Sequence, residues 1–175
     1  MISYIRNLSD LCQSTGSTKG VAEAIHTVLS EGDTQVDLLP MQDVHDLAPY
    51  RTVIAGSAIQ SNQWLPEALR FVKTYQADLD SKQFAIFSVC MTLAMPNGEK
   101  YRSGVADWLE PVRRLVKPIE EGYFAGVLDI SKIPALGDRI KFWLSVLFGV
   151  WKSGDHRNWN AIDEWAKNLK EILEV

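Results

Sequence analysis

Four hydroxyl side chains surround one glycine near the start of the chain, immediately before a helical pattern. The segment reads Gln-Ser-Thr-Gly-Ser-Thr-Lys over residues 13–19, and the helical pattern continues to Leu29. The first N–H groups of a helix lack partners within it, and the helix dipole adds partial positive charge there. Because glycine permits close backbone approach and hydroxyls can donate, the segment is suited to bind a phosphate group. An ordinary Ser or Thr N-cap after a loop is the alternative interpretation.

Two further loops carry side chains that can contact a ligand. Residues 56–64 combine a glycine, amide side chains and Trp64, and residues 90–100 combine a cysteine, two methionines and Thr92. In a parallel sheet, ligands bind beyond the carboxyl ends of the strands, where the strand order reverses. A phosphate at the first loop with a flat ring between the other two is the arrangement of a bound flavin mononucleotide (FMN). The three loops together therefore predict an FMN site.

The elements that must position these loops alternate between strand and helix. Strand patterns are predicted at residues 35–40, 51–56, 83–89 and 121–128. Helical patterns are predicted at residues 20–29, 65–75, 101–116 and 158–173. This alternation predicts an α/β fold with a mostly parallel sheet. Since no internal repeat or low-complexity linker interrupts it, one domain over residues 1–175 is expected.

Composition and charge exclude several classes of function. A net charge of -4 without a basic run argues against nucleic-acid binding. The two cysteines, Cys12 and Cys90, match no metal or disulfide spacing, which favours a reducing compartment. No signal-peptide pattern and no apolar run of spanning length is present, so a cytoplasmic location is expected. The oligomeric state is left open by the sequence.

Other titratable residues carry weaker signals. The histidines at 26, 45 and 156 have no metal-ligand spacing, so no metal site is expected, and His26 is predicted to face solvent. Residues 155–157, Asp-His-Arg, either contact substrate carboxylates or orient the last helix, for which Asn160 and Asp163 form a possible capping box. Cys90 is either reactive near the cofactor or a small buried residue. No general acid or base is nominated, which is consistent with chemistry that resides in a cofactor.

A group of basic side chains lies on the predicted helix before the last strand. It is interpreted as a solvated face or as the contact for an anionic partner. The group consists of Arg102, Arg113, Arg114 and Lys117.

A continuous apolar segment precedes the last helix. Residues 142–151 are apolar on nearly every face of a helix, yet the segment is too short to span a bilayer. It packs on the sheet, forms an oligomer interface, or lies in a membrane interface with Lys141, Trp143, Trp151 and Lys152 at the headgroups.

Several motifs occur in the same order as in a known family. They are Ser14–Ile25, Tyr50–Ile59, Trp64–Glu67, Phe87–Val89, Gly122–Gly126 and Gly154–Trp159. With these motifs the chain resembles the flavodoxin-like family, in particular the branch that includes menaquinone-dependent protoporphyrinogen dehydrogenase. The resemblance implies a three-layer, doubly wound fold around a five-stranded parallel sheet of order 2-1-3-4-5. It also implies an apolar helical insertion at about residues 133–153 in a single flavodoxin-like domain.

The resemblance assigns cofactor contacts by position. The FMN phosphate would be held by Ser14, Thr15, Gly16, Ser17 and Thr18. One side of the isoalloxazine would be bordered by Ala58, Ile59, Gln60 and Trp64. The other loop would consist of Val89, Cys90, Met91, Thr92 and Leu93. For Trp64, stacking on the ring and packing in the core at the start of a helix are both open.

The implied function is that of an FMN-dependent oxidoreductase, in its specific form a protoporphyrinogen dehydrogenase of heme biosynthesis that passes electrons to a quinone. Residues 140–152 would then contact the inner face of the membrane. An electron carrier without substrate chemistry is the first alternative, although such carriers are usually more acidic than this chain. A member that has lost flavin is the second, since Gln13 replaces a hydroxyl residue and residues 7–12, which match the first strand, are polar.

Overall fold

The computed structural model describes residues 2–6, 16–32, 34–128 and 153–174. Within these ranges the strands are β1 (Ile2–Arg6), β2 (Val36–Pro40), β3 (Thr52–Gln60), β4 (Gln63–Trp64), β5 (Gln83–Cys90), β6 (Glu120–Ala125), β7 (Val127–Leu128) and β8 (Gly154–Asp155). The α-helices are α1 (Ser17–Leu29), α2 (Pro66–Thr74), α3 (Gln76–Asp80), α4 (Arg102–Asp107), α5 (Glu110–Arg113) and α6 (Trp159–Glu174). Strands and helices alternate, and the α/β prediction is confirmed.

The central sheet has the order β2-β1-β3-β5-β6, and its four pairings along this path are parallel. The short β4 lies off this path and pairs antiparallel with the end of β3. Strands β7 and β8 form a separate two-stranded ribbon. Because β3 and β5 are parallel and in register from Thr52↔Gln83 to Ala58↔Val89, their carboxyl ends lie at one edge.

Alternate residues of the central strands enter two different cores, which explains their continuous apolar sequences. On one face Val53 and Ile86 join a buried cluster with residues of α2, α3 and α5. On the other face Ile54 and Phe87 join a cluster with α1 and α6. The sheet is therefore the middle of three layers, and α1 packs beside α6 on one of them.

Two predicted elements are interrupted. The helix expected over residues 101–116 is replaced by α4 and α5 with a break at Trp108–Leu109. Pro111 explains the break, since proline has no N–H to donate and its ring clashes with the preceding turn. The last strand, expected over 121–128, is divided at Gly126 into β6 and β7.

The first strand occupies a different position from the one that the family pattern suggested. Strand β1 spans Ile2–Arg6, whereas the polar segment at 7–12 lies outside the described residues. The proposed insertion at 133–153 likewise falls almost entirely outside them, and so does the apolar segment at 142–151. Among the helices that the structure does describe, none is both long and apolar enough to cross a membrane.

Candidate functional site

The structure describes the position predicted to hold a phosphate from Gly16, at the start of α1, onward. Gly16 caps the helix with φ of +61°, a left-handed conformation that favours glycine. A Cβ atom built on Gly16 would meet no atom of the described residues within 4 Å. Ser17 and Thr18 begin the helix; Ser17 is buried and Thr18 is half-buried. The other two predicted phosphate residues, Ser14 and Thr15, lie outside the described residues.

Gly126 marks the place where two of the predicted loops meet. A Cβ atom built on it would lie 3.2 Å from Met91 Sδ, 3.2 Å from Val89 Cγ1 and 3.4 Å from Ser17 Oγ. These atoms belong to the end of β5, the turn after it and the first residue of α1. The structure therefore brings Ser17, Val89 and Met91 together at the carboxyl edge of the sheet, around a residue that has no side chain.

The loop after β3 is a tight β-hairpin. Ile59 pairs with Trp64 and Gln60 with Gln63, which leaves the two-residue turn Ser61–Asn62. Both turn residues have positive φ, 51° and 62°, as a type I′ hairpin turn requires. Ala58 and Ile59 are half-buried, and Gln60 is exposed. This hairpin therefore projects polar amide side chains beyond the edge of the sheet.

Trp64 packs inside the protein. Its side chain has 0 % exposure, and its indole N–H donates to Ser88 Oγ at 2.7 Å. Ser57, paired in register with Ser88, accepts a hydrogen bond of 3.3 Å from the Leu65 N–H. The sequence leaves open whether Trp64 stacks on the ring or packs in the core, and in this conformation it packs in the core at the start of α2. The indole has no open face on which a flavin ring could stack.

The loop after β5 is a compact turn. Cys90 is a buried free thiol, and residues 91–94 form one turn of 3₁₀-helix in which Met91, Thr92 and Leu93 are half-buried. A Cβ atom on Gly98 would lie 2.1 Å from the Leu93 carbonyl oxygen, so the loop folds closely back on itself. Cys90 thus behaves as a small core residue, while the half-buried Thr92 is a possible donor.

Residues 153–159 cover the first turn of α1. The His156 N–H donates to the Gly126 carbonyl at 3.1 Å, and Asp155 binds the Arg157 guanidinium through Nε and Nη2 at 2.8 and 2.6 Å. The Arg157 hydrogen bonds lower the pKa of Asp155 against a smaller opposing effect of burial. Asn158, and not Asn160, caps α6, since its Oδ1 accepts from the Ala161 N–H. The orienting role of this segment is the one the contacts support.

The basic group before the last strand is largely paired with carboxylates. Arg102, Arg113 and Arg114 each lie within 4.0 Å of a glutamate oxygen. Arg113 donates to both oxygens of Glu121, which also accepts from Tyr123. Burial opposes ionisation of Glu121, but these hydrogen bonds outweigh it and lower the pKa of its carboxyl. A solvated, internally paired face therefore describes this group better than an anion-binding surface.

One further prediction is wrong at the level of a side chain. His26 is half-buried, and its Nε2 lies 3.2 Å from the Val36 carbonyl oxygen, to which it donates. The α1 helix therefore uses this histidine to contact β2, and the side chain is only partly exposed to solvent. Among the described residues no group of His, Cys, Asp or Glu is placed to hold a metal ion.

The donor set at the carboxyl edge fits a phosphorylated flat molecule. The first-turn amides of α1 and the Thr18 hydroxyl are donors of the kind that suit a phosphate. The hairpin at 58–64 and the turn at 91–94 add half-buried apolar and polar side chains suited to a ring. The described residues therefore fit FMN.

Comparison with known proteins decides the family. A model of the flavodoxin domain matches residues 13–147. The chain belongs to the flavodoxin domain family. A search among curated proteins finds no match to the chain.

Solved structures show the same fold at low identity. A flavodoxin from the domain Archaea is 17% identical with a TM-score of 0.56, and the alignment covers 100% of both chains. The two-electron reduced flavodoxin of Megasphaera elsdenii is 14% identical with a TM-score of 0.54, covering 95% of this chain and 99% of that one. The apo form of an NADH:FMN oxidoreductase, EMOB, is 15% identical with a TM-score of 0.52, covering 96% and 90%. This likeness shows a flavodoxin-like fold.

Sequence reasoning missed two glycines that shape the site. Gly126 belongs to the motif Gly122–Gly126, but its position between Ser17 and Met91 depends on contacts across the sheet. Gly20 lies in the predicted helical pattern, although glycine is a poor helix former. A glycine inside a predicted helix is the sequence signal that another group could approach the backbone closely there.

Proposed function

We propose that this protein binds FMN at the carboxyl edge of the sheet and acts as a flavodoxin-type oxidoreductase. The observation that carries the proposal is the convergence of Ser17, Val89 and Met91 around Gly126, at the first turn of α1. When bound, the isoalloxazine supplies hydride or electron transfer, and the protein supplies position and electrostatics. The flavodoxins and the NADH:FMN oxidoreductase that share this fold support the same class of chemistry.

Each part of the site has a separate task in this proposal. The first turn of α1, with Gly16 and Thr18, binds the phosphate through backbone and hydroxyl donors. The hairpin at 58–64 and the turn at 91–94 border the two sides of the ring. Trp64 acts from the interior, where its bond to Ser88 fixes the base of the hairpin.

The more specific form of the proposal names the reaction partners. The substrate is protoporphyrinogen and the acceptor is a quinone such as menaquinone, in heme biosynthesis, with the protein at the inner face of the membrane. Support comes from the motif at 154–159, which resembles that branch of the family and lies beside the site. Oxidation of protoporphyrinogen with menaquinone present, dependent on added FMN, tests this form.

The sheet order 2-1-3-4-5 that the resemblance implies is supported by the path β2-β1-β3-β5-β6, in which β4 is a hairpin strand off the path.

The FMN site is tested by titration of the purified protein. We expect FMN to bind, with perturbed flavin absorbance bands. Thr18→Ala is expected to weaken FMN binding about tenfold, the scale of one hydrogen bond to a charged group. Riboflavin, which lacks the phosphate, should bind the variant and the wild type equally.

Ser103→Ala is the matched control, because Ser103 is an exposed hydroxyl residue in the first turn of α4. It should leave both affinities unchanged. Absence of FMN binding by the wild-type chain would contradict the proposal and favour a family member that has lost its flavin. FMN binding without protoporphyrinogen oxidation would favour an electron carrier.

A further inference from the structure

Gly20 lies in the first turns of α1, and an arginine side chain occupies the space where its Cβ atom would be. A Cβ atom built there would lie 2.3 Å from Arg157 Nη1, 3.5 Å from Arg157 Cζ and 3.7 Å from Trp159 Cη2. Glycine inside a helix is less favourable than alanine because it loses more backbone entropy. A close approach by the guanidinium is a physical reason for glycine at this position.

The guanidinium is fixed on its other sides. Asp155 accepts from its Nε and Nη2, and the indole of Trp159 lies under it, with 4.2 Å between Arg157 Cζ and the ring centroid. Only 16% of the Arg157 side chain is exposed. A bidentate carboxylate and an aromatic face hold a planar guanidinium in one orientation, which lysine cannot reproduce. The remaining nitrogen, Nη1, lies next to Gly20, in the space that a Cβ atom there would need.

The segment that carries Arg157 is itself attached to the candidate site. His156 bonds to the Gly126 carbonyl, and Gly126 lies against Ser17 at the start of α1. Arg157 therefore joins the end of the sheet, the start of α6 and the first turns of α1. A displacement of α1 along or about its axis would require this packed contact to break.

We propose that Arg157 is a positioning residue for the phosphate end of the site. Acting through Gly20, it holds the first turn of α1 so that the amides of that turn face the ligand phosphate. The inference rests on the proposed FMN function and deepens it. It assigns a role in cofactor affinity to residues that need not contact the cofactor.

Gly20→Ala gives the sharpest test because the two explanations predict opposite results. If Gly20 served no contact, alanine would stabilise α1 and leave FMN affinity unchanged. If Arg157 positions α1 through Gly20, the added methyl group displaces the guanidinium and the melting temperature falls. FMN then binds about tenfold more weakly, which is the scale of one lost hydrogen bond to a charged group. Riboflavin affinity should change less than about twofold, since the ligand has no phosphate. Gly104→Ala in α4, where a Cβ atom would meet nothing within 4 Å, is the matched control and should not affect either flavin.

Arg157 variants complete the test. Arg157→Ala and Arg157→Lys are both expected to reduce the FMN to riboflavin affinity ratio by about tenfold, because lysine keeps the charge but not the fork. In the Arg157→Ala background, Gly20→Ala should cause no further loss, since the space is vacant. Arg102→Ala is the matched control, because Arg102 also pairs with a glutamate and lies over an aromatic ring, that of Tyr123. Tyr123 packs against the cluster on the other face of the sheet, away from α1.

The outcomes separate the two proposals. Hydrogen exchange of the unliganded protein should show faster exchange of the first hydrogen-bonded amides of α1, from the Gly20 N–H onward, in Arg157→Ala, with the second half of the helix unchanged. If the wild type binds FMN and the variants keep the affinity ratio, or if lysine restores it, the positioning role is overturned while the FMN site remains. If the wild type binds no FMN, both proposals are overturned.

Discussion

Trp64, Ser88 and Ser57 form a buried polar group at the carboxyl end of the sheet. All three residues have 0 % exposure, so each polar atom that loses its partner is left without water as a replacement. Ser88 Oγ accepts from the Trp64 indole, and Ser57 Oγ accepts from the backbone of Leu65. These two bonds connect strands β3 and β5 to the hairpin that borders the proposed ring site.

Ser88→Ala should therefore lower the free energy of unfolding by about 1–3 kcal/mol, the cost of an unsatisfied buried donor. The Trp64 N–H has lost its acceptor in this variant, while the change in volume is small. Urea denaturation followed by circular dichroism measures the effect. The matched control is Ser81→Ala, an exposed serine that also makes a hydrogen bond, to the Asp78 carbonyl. Equal stability of both variants would mean that the Trp64 bond contributes nothing.

Single residues at the site were predictable when their role depended on local backbone. Gly16 was identified from the pattern of hydroxyls around it, and its positive φ agrees with that reasoning. The role of Trp64 was not predictable, because its partner Ser88 is 24 residues away and is reached only across the sheet. Arg157 was recognised as a candidate, but its contact with Gly20 needs α1 and α6 side by side.

At the scale of elements, α5 and β6 are joined by the ion pair between Arg113 and Glu121, which the Tyr123 hydroxyl also contacts. Arg113 Nε and Nη2 donate to Glu121 Oε1 and Oε2 at 2.7 and 2.6 Å, and Nη2 also donates to the Tyr123 hydroxyl at 2.9 Å. The side chains of Arg113 and Glu121 are 29% and 20% exposed. Burial and the neighbouring Glu121 raise the pKa of Tyr123, so the phenol stays protonated and can donate.

The stability of this contact should depend on pH in one direction. Because the folded pKa of Glu121 is lowered, its stabilisation is present above the ordinary glutamate pKa and is lost as the pH falls through the lowered value. Glu121→Gln is expected to cost about 1–2 kcal/mol at neutral pH, since the half-buried Arg113 loses its nearest carboxylate. The difference from wild type should shrink as the pH falls below the glutamate range. Urea titrations at a series of pH values measure it.

Glu99→Gln is the control for this prediction. Glu99 also pairs with an arginine, but its side chain is 82% exposed, and exposed pairs contribute little. A pH-independent difference between Glu121→Gln and wild type would contradict the assigned pKa direction.

Elements were predicted well where the pattern was long and regular. The strand at Gln83–Cys90 and the helix at Trp159–Glu174 agree with their predicted ranges within a residue or so. The pattern at 101–116 failed because apolar spacing continues through Pro111, although proline prevents a continuous helix there. The division of the last strand at Gly126 coincides with a change of partner, since β6 pairs with β5 and β7 pairs with β8, and no local pattern contains these pairings.

For the whole molecule, the apolar segment at 142–151 remains the basis of a membrane prediction. We expect the protein to co-sediment with phosphatidylglycerol-containing vesicles, since aromatic residues and the flanking Lys141 and Lys152 suit a headgroup region. Replacing Phe142, Trp143 and Leu147 with serine should reduce the bound fraction severalfold, as buried apolar area drives such binding.

Ile119→Ser and Ile172→Ser provide the control for general hydrophobicity. Each isoleucine is 42% exposed on the described surface, so its loss removes apolar area outside the segment. These variants should bind vesicles like the wild type. Equal binding by the triple variant and the wild type would remove the membrane interpretation.

The three-layer arrangement was predictable from the whole sequence because both faces of the central strands are covered and therefore apolar throughout. The position of the first strand was not predictable from the sequence. Strand β1, Ile2–Arg6, contains polar residues, whereas a strand in the centre of a parallel sheet is normally apolar throughout.

The ion pair between Arg113 and Glu121 also affects whether copies of the molecule can associate through strand β6. Along the described sheet path, β6 is an outer strand, and outer strands invite pairing with other chains. A strand added beside Glu120 and Glu121 would have to remove water from carboxylates and compete with bonds that Arg113 already makes. The charged pair on β6 thereby disfavours aggregation through this side of the described sheet.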